Sequence, residues 1–335
     1  MPALALDIGT YTIKAISGKP GNAVQVTRAL EIFNPLGVNI AADEAQLEKL
    51  AKLLDTTISD NNLPRQDVRL ALPETMVSTK VISLPWLSDA ELASAIGWQA
   101  EQHIPIPPEE LSLEYQVLFR PKKADKNVPM RVLLVGARKS LIEKYVSVFT
   151  MIGLEPTVLE THIVSVIRSL QFTVEDPTTL VVHLGASTMD MAVMHQGELS
   201  FVFTHLNGGQ LLTRSLEQTI GLTGEQAEQY KRSYGLDEAQ FQGKVREAML
   251  PAAKLLIGEM QKAIRFFINQ HPTDSVQRVL LSGGSAQLVG MVQLITAELG
   301  VEVLIAAPFS QASGEIPPAN HPAYSVCMGL LMREL

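Results

Sequence analysis

Three stretches of this 335-residue chain combine glycine, hydroxyl groups and charge at spacings that suit an anion. In the first, Leu4-Ala5-Leu6-Asp7-Ile8-Gly9-Thr10-Tyr11-Thr12-Ile13-Lys14-Ala15-Ile16, two aliphatic runs meet at Gly9-Thr10, the pattern of a hairpin with a small, hydroxylic tip. Glycine lets backbone N–H groups approach a phosphate, Thr10 and Tyr11 add hydroxyls, Lys14 adds positive charge, and Asp7 at the strand end is placed to hold Mg²⁺ through water. Taken alone, one such hairpin is more simply an ordinary buried turn. The second stretch, Leu180 to Met194, lays over the first with Gly185 on Gly9, Thr188 on Thr12 and His183 on Asp7, and with Ala186 and Ser187 at its tip. A duplicated hairpin implies a duplicated fold. The third stretch runs from strand-like Val279 to Leu281 through Ser282, Gly283, Gly284 and Ser285 toward a helix expected over Gln287 to Glu298. Strand, Gly-Gly, helix N-terminus is a place where a nucleotide can lie against backbone.

The elements that must position these stretches follow from periodicity. Val24 to Thr27 and Leu30 to Phe33 suggest two short strands. Leu47, Leu50, Leu54 and Ile58 form the apolar face of a helix over Asp43 to Ile58, and Val68 to Leu72 is a strand. From Ser78 to Leu154 the pattern becomes a compact α+β unit. Val81 to Leu84 is a strand, and Ser88-Asp89-Ala90-Glu91 is a capping box opening a helix to His103, with Leu87 and Leu92 as its staple. Leu113 to Phe119 and Val132 to Val135 are strands around a polar loop at 121–127, and Leu141 to Met151 is a closing helix. Further on, Leu206-Asn207-Gly208-Gly209 opens a helix whose N-terminus is placed to face phosphate, and Thr223 to Gln226 caps the next one, on which Glu228 and Lys231 lie i, i+3. Lys244 to Gln270 is a long helical pattern kinked or broken at Pro251, Val301 to Ala306 a strand, and a last helix starts near Ala323.

Composition bounds the function. A net charge of −8 and a pI near 5.4 exclude a nucleic-acid surface, which needs clustered Lys and Arg. With 46% hydrophobic residues the chain can build a core in each of two lobes. The single cysteine, Cys327, excludes an intramolecular disulfide and reads as a small core residue of a cytosolic protein. No secretory signal is expected ahead of Leu4, and no apolar run approaches the roughly 20 residues of a membrane span. The seven histidines show no zinc-like spacing, so no structural metal is expected. Ser282 to Ser285 lacks the Gly-Lys-Ser/Thr ending of a P-loop, and no serine sits in a nucleophile elbow.

In this order the motifs resemble those of the actin, Hsp70 and sugar kinase superfamily: Asp7 to Lys14 its first phosphate motif, Val181 to Thr188 its second, Leu281 to Leu288 its adenosine motif. Within it, essentially the whole chain is most similar to the PilM family of type IV pilus assembly proteins, relatives of the cell-division protein FtsA. The resemblance implies an α/β, actin-like fold, ribonuclease H-like and duplicated, that binds ATP with Mg²⁺ between two lobes. It divides the chain into a first lobe at 1–77 plus 155–178, an FtsA/PilM-type small α+β subdomain inserted at 78–154, a second lobe at 179–322, and a closing helix at 323–335 that packs back on the first lobe. It also places Glu160 as the acidic residue of the connecting motif and brings Glu228 and Lys231 to the ribose, where an exposed helical ion pair is the alternative.

One position departs from the family. Its second phosphate motif opens with Asp, and His183 stands there in this chain. Neutral imidazole is a poor ligand for the hard Mg²⁺ ion, so nucleotide binding without turnover is the stronger expectation and phosphoryl transfer the weaker. A pocket that no longer takes ATP is a further alternative. The implied partner is a PilN-like single-span membrane protein whose N-terminal cytoplasmic peptide docks beside Ser78 to Arg120, holding the protein in the cytoplasm at the inner membrane without inserting it. Trp86, Leu87 and Trp98 are the large apolar candidates there, with core packing the alternative for Trp98. Pilus motor ATPases and further copies of the chain are additional candidate partners. Against an FtsA-like filament-forming division protein stands the expected lack of an amphipathic helix after the apolar run Ser325 to Met332, and against a sugar or acyl kinase stand His183 and the small subdomain.

Overall fold

The structure, a computed structural model, describes residues 2–40, 43–122, 125 and 128–334. Strands β1 (Ala3–Ile8) and β2 (Thr12–Lys19) form the first hairpin, with Asp7 opposite Lys14 and Ile8 opposite Ile13. Every residue of β1 is buried, because both faces of its sheet are covered. β3 (Gln25–Phe33) continues the meander as one strand rather than the two short ones expected. The break in its apolar pattern is a bulge at Thr27, where Ser17 faces Arg28 and Gly18 faces Val26. Helix α1 (Glu44–Asp60), capped by Asp43, leads to β4 (Val68–Leu72), which lies parallel to β1.

The next strands form a separate antiparallel sheet in the order β5-β7-β6, from β5 (Val77–Leu84), β6 (Leu111–Phe119) and β7 (Met130–Arg138). Helix α2 (Asp89–His103) starts at the expected Ser88–Glu91 capping box and covers this sheet, packing Leu92, Ile96 and Ala100 on Ile82, Met130, Val132 and Leu134. Four residues of the expected loop at 121–127, namely 123, 124, 126 and 127, lie outside the described residues. Helix α3 (Lys139–Thr150), expected to close this unit, packs elsewhere: Tyr145, Val148 and Phe149 share a core with Leu4, Leu6, Leu50 and Leu54. The apolar face of the small sheet is already covered by α2, which leaves the stripe of α3 to the first sheet.

β8 (Pro156–Thr161), parallel to β4, runs into α4 (His162–Leu170). The second half repeats the plan with β9 (Thr179–Leu184), β10 (Met189–His195) and β11 (Glu198–His205), then α5 (Gly209–Ile220), α6 (Gly224–Tyr234) and α7 (Lys244–Gln270). It continues with β12 (Arg278–Ser282), α8 (Met291–Leu299) and β13 (Glu302–Ile305), and the chain ends with β14 (Ser313–Gly314) and α9 (Ser325–Leu331). The two large sheets run β14-β3-β2-β1-β4-β8 and β11-β10-β9-β12-β13. Apart from the short edge strand β14, both are a three-stranded meander followed by two parallel strands. The repeat visible in the hairpins thus extends to topology, which is the duplicated actin-like α/β arrangement expected. Helices α4 and α9 fill the space between the sheets, where Ile163, Val166, Val326 and Cys327 meet Ala3 and Ala5 of one sheet and Val181 and Ala192 of the other.

Two helices differ from expectation. α7 is continuous through Pro251, which is exposed and forfeits only one hydrogen bond, while Leu256, Ile257, Met260 and Phe267 stay buried along the same face. α8 starts at Met291 instead of Gln287, because the chain beyond Gly283 coils through successive turns and Gly290 closes them at φ 79°. Among the described residues no helix is long and apolar enough to cross a membrane.

Candidate functional site

The carboxyl ends of β1, β4, β8, β9 and β12 open into one cleft of about 970 Å³ between the two large sheets. Crevices at the carboxyl ends of parallel strands are the usual ligand sites of α/β folds. Both hairpin tips enter it with the same backbone contact: Gly9 N–H donates to Thr12 O at 3.1 Å and Gly185 N–H to Thr188 O at 3.0 Å. Thr10 Oγ1 donates to Ser187 Oγ at 3.2 Å, so the tips touch. Of the residues singled out in the sequence, Asp7, Gly9, Thr10, Tyr11, Lys14, Gly185, Ala186, Ser187, Thr188, Glu228, Lys231, Gly284 and Ser285 line this cleft.

Gly208, Gly209 and Gly283 do not line it. Gly209 N–H and Gln210 N–H donate to Gly185 O and Ala186 O, each at 2.8 Å. The N-terminus of α5, expected to face phosphate, therefore spends these amides on holding the second tip. A Cβ at Gly208 would come within 2.4 Å of Gly185 O, which is why the close approach requires glycine.

The cleft floor is an unusual set of charges. Asp7 is buried, its Oδ2 lies 3.8 Å from Lys14 Nζ, and its Oδ1 lies 3.3 Å from His162 Nε2. Neither Asp7 Oδ1 nor His162 Nε2 has an aligned hydrogen-bond partner. Burial opposes charge on Asp7, but Lys14 and then His162 outweigh it and hold the carboxyl below its ordinary range. Burial likewise opposes charge on His162, yet the Asp7 carboxylate raises it above the ordinary imidazole value. His183 is opposite in kind: burial, with His162 beside it, pushes its pKa down to about 3, so it is neutral. Its Nδ1 lies 3.1 Å from Ser282 Oγ, which in turn donates to Pro322 O at 3.2 Å. Both contacts are hydrogen bonds only if Nδ1 carries the proton and Nε2 the lone pair.

The strand register explains this set. Asp7 faces Lys14 across the first hairpin, and the matching positions of the second are His183 and Asp190. Asp190 lies beneath the floor, where burial and the nearby Glu74 raise its pKa to about 7. Glu160, expected as the acidic residue of the connecting motif, is turned away. Arg168 clamps its carboxylate and Ser165 Oγ donates to it at 3.1 Å, so the position facing Asp7 belongs to His162, two residues on.

Glu228 and Lys231 form an ion pair at 2.6 Å, with Lys231 buried and Glu228 partly buried, rather than an exposed one. Thr213 Oγ1 donates to Glu228 Oε2 at 2.8 Å, and Lys231 Nζ donates to Gly209 O at 3.3 Å, tying α6 to α5. Burial lowers the pKa of Lys231 although Glu228 opposes the shift. Among the lining residues that sequence reasoning missed are His162, Arg232, Glu31 and Asn320. Arg232 sits 5.5 Å over the Tyr11 ring. Glu31 accepts from Thr12 Oγ1 at 2.8 Å and from Asn320 Nδ2 at 3.0 Å. Glu31 is the cross-strand partner of Lys14, a pairing visible only once β3 is one strand.

Away from the cleft, Trp98 is 62% exposed, against the core-packing alternative. Trp86 is half-buried, with Nε1–H donating to Pro121 O at 3.1 Å, and Leu87 packs on the core of the small sheet. The fold also brings together His195, His271 and Asp274, which share no sequence spacing. Their ligand atoms lie within 4.8 Å of one another, and His195 Nε2 to Asp274 Oδ2 is 4.0 Å. Donors around tetrahedral zinc are roughly 3.3 Å apart at the usual bond lengths. The group is better described as ring packing, with His271 stacked on Phe267 at 4.6 Å, and no metal is assigned to it.

The fold has close counterparts among solved structures. A PilM-PilN type IV pilus biogenesis complex matches with a TM-score of 0.85 at 22% identity, covering 98% of this chain and 97% of that one. Ethanolamine utilization protein EutJ from Carboxydothermus hydrogenoformans matches at 0.59 and 15% identity, covering 99% and 89%. MreB 5 of Spiroplasma citri, bound to AMPPNP, matches at 0.55 and 12% identity, covering 98% and 94%. The family model described as type IV pilus assembly protein PilM matches residues 5–335, and on that match over nearly its whole length the chain belongs to the PilM family.

Proposed function

We propose that this protein is a cytoplasmic, actin-like adaptor of type IV pilus assembly that binds ATP in the cleft and docks the N-terminal cytoplasmic peptide of a PilN-like single-span protein, which holds it at the inner membrane. The observation that carries the nucleotide reading is the pair of hairpin tips, each with the same Gly N–H to Thr O contact and touching through Thr10 and Ser187. Lys14 supplies the charge for a phosphate, and the Glu228–Lys231 pair stands where a ribose hydroxyl can meet a carboxylate. The resemblance to relatives solved with a nucleotide analogue and with PilN supports the same reading.

The Mg²⁺ expected at Asp7 does not fit this donor set. A divalent ion there needs oxygen ligands or ordered waters around them. Asp7 is already faced by Lys14 and His162, and the position of a second acid holds the neutral His183. ATP binding with little or no turnover is the function these residues favour.

For the partner, β6 is an edge strand carrying half-exposed Tyr115, and α2 above the same sheet exposes Trp98. An extended peptide adds readily to such an edge, with an aromatic side chain as anchor. The test is capture of the cytoplasmic peptide of the single-span protein encoded beside this chain. Trp98→Glu or Tyr115→Glu should weaken capture by about tenfold, and Leu255→Glu, equally exposed but on α7, should leave it unchanged. Undiminished capture by both of the first two variants would place the docking site elsewhere.

A further inference from the structure

We infer that the cleft takes its nucleotide free of a divalent cation, with Lys14 and His162 in the place that Mg²⁺ would occupy beside the phosphates. This rests on the reading of the cleft as a nucleotide site. Three observations carry it. First, Asp7, the carboxylate at the end of β1, has a cation-forming side chain on each oxygen: Lys14 Nζ 3.8 Å from Oδ2 and His162 Nε2 3.3 Å from Oδ1. A divalent ion brought to Asp7 would meet both at close range, and like charges at such separations in a buried site repel strongly. Second, His162 Nε2 and Asp7 Oδ1 are buried without an aligned partner. Buried polar atoms are nearly always hydrogen-bonded, so this pair is poised for something that enters the cleft. A phosphate oxygen suits His162 Nε2–H, because it accepts a charge-assisted hydrogen bond as readily as it binds a metal. Third, the acid that the duplicated hairpin would contribute is absent from the floor. Its register position is His183, while the carboxylate of that hairpin, Asp190, sits across the strand pair beneath the floor and does not line the cleft.

Lys14 and His162, one on each oxygen of Asp7, are the groups that offset phosphate charge where a divalent ion would otherwise stand. The same geometry accounts for Lys14 and His162 both bracketing Asp7: the carboxylate orients the two donors toward the cleft in the absence of ligand and gives them up to phosphate when it binds.

The experiment is calorimetric titration of the full chain with ATP and with ADP, in excess MgCl₂ and in EDTA. Wild type should bind in EDTA at least as tightly as in MgCl₂. His162→Gln/His183→Asp, which removes one cationic group and returns an acid to the floor, should bind in MgCl₂ and lose about tenfold or more in EDTA. Its fold is checked by its unfolding transition, and His162→Gln alone, which should weaken ATP in EDTA more than in MgCl₂, provides the same information should the double variant be unstable. Wild-type binding that appears only with MgCl₂ would overturn the inference and leave the nucleotide site standing. No binding in either buffer, with the protein folded, would overturn the nucleotide reading along with it.

Discussion

Lys14 and Asp7 are cross-strand partners in the first hairpin, and the ammonium stands 3.8 Å from the carboxylate at the floor of the cleft. That distance is an ion pair still loose enough for a phosphate oxygen to compete for the lysine. Lys14→Ala should therefore weaken ATP binding by on the order of 1.5–3 kcal/mol, the worth of a charge-assisted contact. Calorimetry giving equal affinity for the variant and wild type would remove Lys14 from the phosphate site.

The Glu228–Lys231 pair ties α6 to α5 through Thr213 and Gly209 O, with Lys231 almost wholly buried. Removing one partner of a buried pair strands the other's charge. Lys231→Met should cost on the order of 2–3 kcal/mol, and Lys231→Met with Glu228→Gln should recover much of it. Chemical denaturation of the two variants and wild type measures this. A double variant no more stable than Lys231→Met would mean that the carboxylate is compensated by Arg232 alone.

Asp190 gives a pH dependence of definite sign. Its pKa is raised in the folded protein from 3.8 to about 7, so its contribution is fully present below the unfolded value and is lost as pH rises through 7. Above pH 7 the folded protein must hold a buried charge, at a cost of up to about 4 kcal/mol. Asp190→Asn should gain stability relative to wild type at pH 8 compared with pH 5. A difference between the two proteins that does not change with pH would show that Asp190 is ionised throughout.

Gly329 on α9 packs against α4 so closely that a Cβ there would lie 1.8 Å from Ser165 O, a backbone atom that cannot turn aside. Gly329→Ala should destabilise by about 3 kcal/mol or more, by pushing apart the two helices between the sheets. Thermal unfolding within a degree of wild type would show that the helices separate freely.

What the sequence determined on its own was local. Apolar runs broken at Gly9 and Gly185, the capping boxes at Ser88 and Thr223, and the strand at Val68 to Leu72 depend on turn chemistry, end groups and periodicity within a few residues, and these govern in the folded chain as well. The repeat of one hairpin in the other made the duplicated fold legible, because the topology of each sheet grows from its meander. The tertiary structure decided everything that depends on what lies across a gap. It turned Glu160 onto Arg168 and brought His162 to Asp7, since a strand end cannot announce which of two polar side chains will find a partner on the next helix. Trp98 stayed in solvent because three other residues of α2 already cover the small sheet, and α3 went to the first sheet for the same reason. Proline did not break α7, because the cost of one missing hydrogen bond is less than that of unburying a helix face of ten residues. The charge at the cleft floor was hidden for a further reason: the register that sets Lys14 against Asp7 and Asp190 against His183 is a property of paired strands, and no single strand contains it.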